Sequence, residues 1–284
     1  MTLNNIFLIT DADGTLLTDD KRILDTDRAA IAEILNAGGM FTIATGRGVS
    51  LARTVINELG ELPTKSASDR RLCGPAVIFN GAAVYDYNTE EFLWRCCLSD
   101  NSKNYIRQII ERFPSLGVEI LREQDVYVIN SNRLEEDHLS LGNIKPVCCS
   151  FDEVPDDDWI KVLFVDEPEV IDKVIEFSKK QDFSEVHMVR SAPVFYEVLP
   201  HGINKGTGFK KLLELMNITD RYIIAAGDFM NDLEMLQMAD LGVAVANAED
   251  IVKQSAQLIV CDNNSGVVNE IVNYLRRGDL RSPE

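Results

Sequence analysis

A chain of 284 residues that is 45% apolar and 26% charged is long enough to bury one large core or two modest ones. These figures exclude a disordered, coiled-coil or collagen-like protein. A formal net charge of −18 argues against nucleic acid or an anionic membrane surface as a partner, because both need a basic face. Three histidines (His138, His187, His201) and six cysteines, including the neighbours Cys96–Cys97 and Cys148–Cys149, show no zinc spacing. Reduced, packing thiols are expected.

The opening MTLNNIFLIT is a short apolar run that soon meets charge, with no basic leader and no small-residue cleavage site. It is expected as a strand of a cytoplasmic protein, not as a signal peptide. No stretch approaches the ~18 consecutive apolar residues of a membrane span. Ile6–Ile9 predicts a parallel strand buried on both faces. Ala30, Ile31, Ile34 and Leu35 share one helical face, closed by Gly38–Gly39. Met40–Ala44 predicts a second strand. Ala52, Val55, Ile56 and Leu59 form a second helix stopped at Gly60, and Ala76–Phe79 a third strand. The pattern then changes. Residues 85–197 carry partly alternating strands (Val126–Ile129, Trp159–Val165, Phe195–Leu199), helices over Ser102–Arg112 and Glu169–Lys180, and an acidic turn at Asp152–Asp158. After it the strand–helix grammar returns. A helical stripe (Phe209, Leu212, Leu213, Met216) precedes the strand Tyr222–Ala226, the helix Asp232–Met238 and the strand Leu241–Val245. A helix near Ile251, the strand Gln257–Val260 and a closing helix over Val267–Arg276 follow. The fold class is therefore α/β, a doubly wound parallel sheet built from residues 1–84 and 198–284, with an α+β layer of 85–197 inserted.

Chemistry-bearing residues follow the expected strands, where open parallel sheets bind ligands. The first strand runs into Thr10-Asp11-Ala12-Asp13-Gly14-Thr15, the second into Thr45-Gly46-Arg47 and the third into Asn80-Gly81. The strand at Tyr222 runs into Gly227-Asp228, with Asn231-Asp232 on the next turn. Carboxylates brought together at one sheet edge raise one another's pKa and need a counter-charge. A hard divalent cation supplies one. Lys205, between Asn204 and Gly206 at a helix start, supplies another. Gly14 permits a tight reversal, and Thr45 and Gly46 offer a hydroxyl and amides to a phosphate oxygen. Alone, each feature is also what a polar turn or helix cap would show; together and in this order they point to a site.

On these residues the chain resembles a haloacid dehalogenase superfamily phosphatase of the Cof type, with a Rossmann-like core and a large α/β cap. The strand with Asp11-Ala12-Asp13-Gly14-Thr15, then Thr45, then Lys205, then Gly227-Asp228-Phe229-Met230-Asn231-Asp232 match that family's four motifs in order. The resemblance implies a phosphomonoester hydrolase that acts on small phosphorylated metabolites such as sugar phosphates and passes through an aspartyl-phosphate. It implies Asp11 as nucleophile and Asp13 as acid, then base. Thr45, Gly46 and Lys205 would hold phosphoryl oxygens, with Asn80 and Asn204 beside them. Mg2+ would bind Asp11, Asp228 and the backbone carbonyl of Asp13, with Asn231 and Asp232 as further ligands or supports. In the cap, Arg190 and Ser191 lie in a loop expected to face the substrate, where Arg190 would meet a second phosphate or a carboxylate. A monomer or small homo-oligomer is expected. A phosphomutase, a phosphoaspartate signalling module and a silent binding protein are the competing readings. A dinucleotide-binding dehydrogenase is excluded by the lack of GxGxxG after the first strand.

Overall fold

The computed structural model describes residues 2–59, 62, 75–123, 125–142 and 144–278; the helix stop expected at Gly60 lies outside them. The chain runs β1 (Ile6–Thr10), α1 (Asp25–Ala37), β2 (Met40–Ile43), α2 (Val49–Leu59) and β3 (Ala76–Ile78) into the hairpin strands β4 (Ala83–Asp86) and β5 (Glu91–Arg95). Then come α3 (Asp100–Arg112), β6 (Gly117–Leu121), β7 (Val126–Val128), α4 (Arg133–Ser140), β8 (Val147–Cys148), β9 (Lys161–Val165), α5 (Pro168–Lys179), β10 (Val186–Ala192) and β11 (Phe195–Pro200). The last part is α6 (Lys205–Leu215), β12 (Tyr222–Gly227), α7 (Leu233–Met238), β13 (Leu241–Val245), α8 (Asp250–Ser255), β14 (Leu258–Val260) and α9 (Val267–Arg277).

Five parallel strands form the central sheet in the order β14-β13-β12-β1-β2. A parallel bridge between Ala44 and Val77 carries it on to β3. The strands are short apolar runs, and all five residues of both β1 and β13 are buried, as sheets covered on both faces require. α1 ends as its sequence predicts, with Gly38 left-handed (φ 93) and its amide returned to Ile34 and Leu35. Strand order reverses between β1 and β12, and this switch point opens a crevice at the carboxyl ends of the two strands.

The inserted layer is a six-stranded sheet, β10-β11-β9-β6-β7-β8. Alternation divides its faces. Val118, Ile120, Val162, Phe164 and Val198 pack with Ile106 and Ile109 of α3 and Ile171 and Val174 of α5. The residues between them, Leu121, Lys161, Leu163 and Glu197, border a cavity shared with the parallel sheet's carboxyl edge. Two readings of the sequence need correction. The expected start of the insertion at residue 85 falls inside β4, which pairs with β3 and β5 and not with the six-stranded sheet. The Arg190–Ala192 segment is the bulged end of β10, not a loop.

α9 has no side-chain cap of its own, since Gly266 stands at its N-cap. Buried Asp27 of α1 takes that role, accepting the Asn269 amide at 2.9 Å, while its other oxygen is buried without a partner. Burial pushes the carboxyl up to about 6, against the pull of the amides of Asn269, Val268 and Val267. A carboxyl raised above its unfolded value stabilises fully below that value, near pH 4, and the contribution is lost as pH rises through the folded value near 6. Urea unfolding is therefore expected to show about 2 kcal/mol of stability lost through this window, and Asp27→Asn to flatten that slope.

Candidate active site

Asp11 is the first residue beyond β1, pinned by its amide to the Ala226 carbonyl of β12 at 2.8 Å. Asp228 is the first residue beyond β12, so the two carboxylates face one another across the switch point because neighbouring parallel strands end level. Lys205 joins them from the first turn of α6. Its Nζ donates to Asp11 Oδ1 and Asp232 Oδ1, each at 2.5 Å, and the side chain is 1% exposed. Asp232 accepts on both oxygens: its second takes the amides of Asp228 (3.0 Å) and Phe229 (3.2 Å). α6 reaches this close only because Gly81, with φ +97, lies against it; a Cβ there would sit 1.9 Å from the Asn204 carbonyl oxygen. Gly14 serves the same end on the opposite side. Its φ is +77, and a Cβ would fall 2.5 Å from Asp228 Oδ2.

The electrostatics follow from this crowding. Burial pushes Asp11 well above the usual carboxylate range, Lys205 relieves part of the effect, and Asp232, Asp228 and Asp13 add to it. Burial and then the Asp232 charge push Asp228 up to about 7, with the Thr15 hydroxyl (2.9 Å) opposing. Burial alone would depress Lys205, but Asp11 and Asp232 outweigh it and hold the ammonium above its ordinary range. Asp13 is different. Burial raises it, but the Arg47 guanidinium, bound bidentately at 2.7 Å to each oxygen, and Lys21 at 2.8 Å hold its carboxyl far below the ordinary range.

A cation fits the remaining donors. Asp11, Asp228 and Asp232 each offer a carboxylate oxygen, all within 4.8 Å of one another. Asp11 and Asp228 each keep an oxygen with no hydrogen bond among the described residues, whereas both oxygens of Asp232 also accept hydrogen bonds. Asn231 lines the same cavity, and its Oδ1 is a buried acceptor with no partner. Hard oxygen donors of this kind suit a hard divalent ion.

The cavity, about 400 Å3 in volume, brings together Asp11, Asp13, Thr45, Gly46, Asp228 and Asn231 from the parallel sheet and Ser191 from the six-stranded one. Three expected binding residues are turned elsewhere. Arg190 pairs with Asp172 of α5 (2.7 Å) and donates to the Pro193 carbonyl (2.6 Å), so it does not meet a second anion. Asn204 caps α6, accepting the Thr207 amide at 2.8 Å. Asn80 is fully buried, bonded to Glu197 (2.7 Å) and Asn231 (2.9 Å). Asp232, expected as a further ligand or support, lies in the carboxylate group that could hold a cation and also accepts from Lys205. Sequence reasoning gave Arg47 no role and overlooked Lys21, Lys161, Glu197 and His138. The last of these lies on α4, a short polar helix whose only apolar residues are Leu134 and Leu139, too few to register as a stripe.

Comparison with known proteins agrees with this geometry. The model of the haloacid dehalogenase-like hydrolases matches residues 8–271. "Putative phosphatase YxeH" of Bacillus subtilis is 31% identical over 92% of this chain and 95% of its own length. The 5-amino-6-(5-phospho-D-ribitylamino)uracil phosphatase YcsE of Bacillus subtilis is 27% identical over 93% and 94%. Among solved structures, the subclass IIB sugar phosphatase BT4131 shares the fold at a TM-score of 0.80 and 22% identity, covering 95% of this chain and 99% of that one. The chain belongs to the haloacid dehalogenase-like hydrolase family. It is an enzyme of the Cof type, a phosphatase with a capped α/β core.

Lys205→Met would leave Asp11 and Asp232 buried without their counter-charge, and an unfolding cost of about 3 kcal/mol is expected at pH 8. Because protonation relieves the uncompensated carboxylates, the cost should shrink toward pH 5. Urea titrations at both pH values measure it, and equal losses would mean that Lys205 contributes packing, not charge.

Proposed function

We propose that the protein hydrolyses small phosphomonoesters with the aid of Mg2+, through a phosphate ester of Asp11. The observation that carries this reading is the Asp11 carboxylate at the switch point. One oxygen is fixed by Lys205, and among the described residues no hydrogen bond occupies the other. In the first half-reaction that oxygen attacks phosphorus, the ester P–O bond breaks, and the leaving oxygen takes a proton from Asp13. In the second, Asp13 as carboxylate removes a proton from water, the water oxygen attacks phosphorus, and Asp11 is released with inorganic phosphate. Arg47 and Lys21 favour the ionised form of Asp13, which is the form this second step uses; acting as the acid requires it to leave the bidentate Arg47 pair. Thr45 and Lys205 hold the phosphoryl oxygens. Mg2+, held by Asp11, Asp228 and Asn231, would neutralise charge that Lys205 alone leaves unbalanced.

The alcohol portion would lie against the inserted sheet and α4, which we take as a cap spanning roughly residues 98–197. Leu121, Leu134, Leu163 and Phe195 wall that end, with Asp137 and His138 among them. With Lys161 paired to Glu197 and Arg190 turned to Asp172, neither of these cations is left unpaired for a second phosphate. A monophosphate whose leaving group has an apolar ring face fits better than a bisphosphate. The named uracil-compound activity of YcsE is consistent with such a group, and that of the sugar phosphatase BT4131 with a smaller one.

Phosphate release from a panel of monoesters is expected to need Mg2+ and to fall by at least about 10^3-fold in Asp11→Asn with the fold retained. Activity surviving either Asp11→Asn or excess chelator would overturn the mechanism. The Asp228 carboxyl near 7 must lose its proton to hold a cation. Mg2+ affinity should therefore rise with pH, by up to about tenfold per unit, from pH 6 to about 7 and level off above. Calorimetric titration of Mg2+ at several pH values measures it.

A further inference from the structure

We infer that the buried Lys161–Glu197 pair of the inserted sheet positions two catalytic loops of the core, so that the cap completes the active site as well as covering it. This rests on the phosphatase reading above and deepens it. Lys161 opens β9 and Glu197 lies in β11, and their side chains, 4% and 3% exposed, pair at 2.8 Å. Each also reaches out of its own sheet. Lys161 Nζ donates to the Gly46 carbonyl at 2.6 Å, in the turn that presents Thr45. Glu197 Oε2 accepts from Asn80 Nδ2 at 2.7 Å, and Asn80 Oδ1 accepts from Asn231 Nδ2 at 2.9 Å, which leaves Asn231 Oδ1 aimed at no protein donor. The Ser191 hydroxyl takes the other Glu197 oxygen. One ion pair is thus bonded to the phosphate turn through a lysine and to the Asp228–Asp232 loop through a glutamate and an asparagine.

The backbone beneath shows that these groups are held and not merely adjacent. Phe79 and Asn80 both have φ 52, two successive non-glycine residues in the left-handed region, a conformation that persists only where surroundings enforce it. Gly46 closes the gap from the other side, since a Cβ there would come 2.9 Å from Asn80 Nδ2. A buried ion pair is a poor source of stability, as desolvation offsets most of its attraction. A sheet that served only as a lid would do as well with apolar residues at these positions. Charges at 161 and 197 are explained if they fix a geometry, and a shift of about 1 Å in a group that orients phosphate costs about 100-fold in rate. Lys161 and Glu197 are positioning residues here, acting through Gly46 and Asn80.

The full chain with Mg2+ tests this with Lys161→Met, Lys161→Arg and Glu197→Gln. The readings are kcat and KM on p-nitrophenyl phosphate and on the best ester of the panel, and inorganic phosphate binding by calorimetry. Lys161→Met is expected to lower kcat about 10- to 100-fold by the same factor on both esters, with KM within about threefold, and to weaken phosphate binding about tenfold. Lys161→Arg should recover part of each. Wild-type kcat and phosphate affinity in Lys161→Met would overturn the inference, and so would a loss confined to KM of the larger ester, which would make Lys161 a leaving-group contact. If Lys161→Met does not fold, Glu197→Gln carries the same expectations. A wild type inactive on every ester would count against the phosphatase reading alone, because phosphate binding by the variants still decides the positioning role.

Discussion

Three carboxylates offering oxygens within 4.8 Å of one another repel, and burial makes each of them harder to ionise. Lys205 is the interaction that makes the arrangement tolerable, and much of the surrounding structure serves to bring its ammonium there. α6 must begin against the end of β3, which is why Gly81 lies beneath Asn204 and why Gly208 has a Gly81 backbone atom 2.5 Å from where its Cβ would stand. Asp232 must face Lys205 and not solvent, and the amides of Asp228 and Phe229 hold it so. Compensation is nonetheless incomplete. Asp11 and Asp228 both remain raised after Lys205 has acted, so the protein alone leaves a residual demand for positive charge facing the cavity. Within a chain of net charge −18, that residual demand is what the proposed cation would meet.

Asp11 and Asp13 illustrate how environment separates two carboxylates of one short segment. Asp11 is 6% exposed and shares one lysine with Asp232. Asp13, whose side chain is 40% exposed, has a guanidinium and an ammonium to itself. Their protonation tendencies diverge accordingly, one raised and one lowered, and divergence of this kind is what allows neighbouring acids to take different roles in one reaction.

The sheet and its acidic edge were legible in the sequence because both are encoded locally. Ile6–Ile9 and Leu241–Val245 are continuous apolar runs that suit only doubly covered strands. The residues that follow such strands fall at the binding edge by topology, so Asp11, Thr45 and Asp228 were found without knowledge of contacts. What escaped was encoded across distance. Arg47 has the same local signature as a surface arginine after a turn, and only the fold brings it to Asp13. Asn80 and Asn204 were placed near the right loops but assigned the wrong partners, since an asparagine's side chain can cap, bridge or bind with equal ease. α4 is nearly all polar, so it carries no stripe, although its apolar Leu134 and its His138 border the cavity.

The inserted sheet divides its labour by the pleat. On one face, alternating Val118, Ile120, Val162 and Phe164 make a core with α3 and α5 that needs nothing from the parallel sheet. On the other, the same strands present Leu121, Leu163, Lys161 and Glu197 to the cavity, mixing apolar wall with one compensated ion pair. A period of two along a strand forces this separation: Leu121, Lys161, Leu163 and Glu197 border the cavity, and Leu121 and Leu163 also pack into the core of the parallel sheet. The Lys161–Glu197 pair is the exception on that face, because its hydrogen bonds run to the catalytic loops. The apolar wall residues around it pack into the larger core, whereas the pair is joined to Gly46 and Asn80.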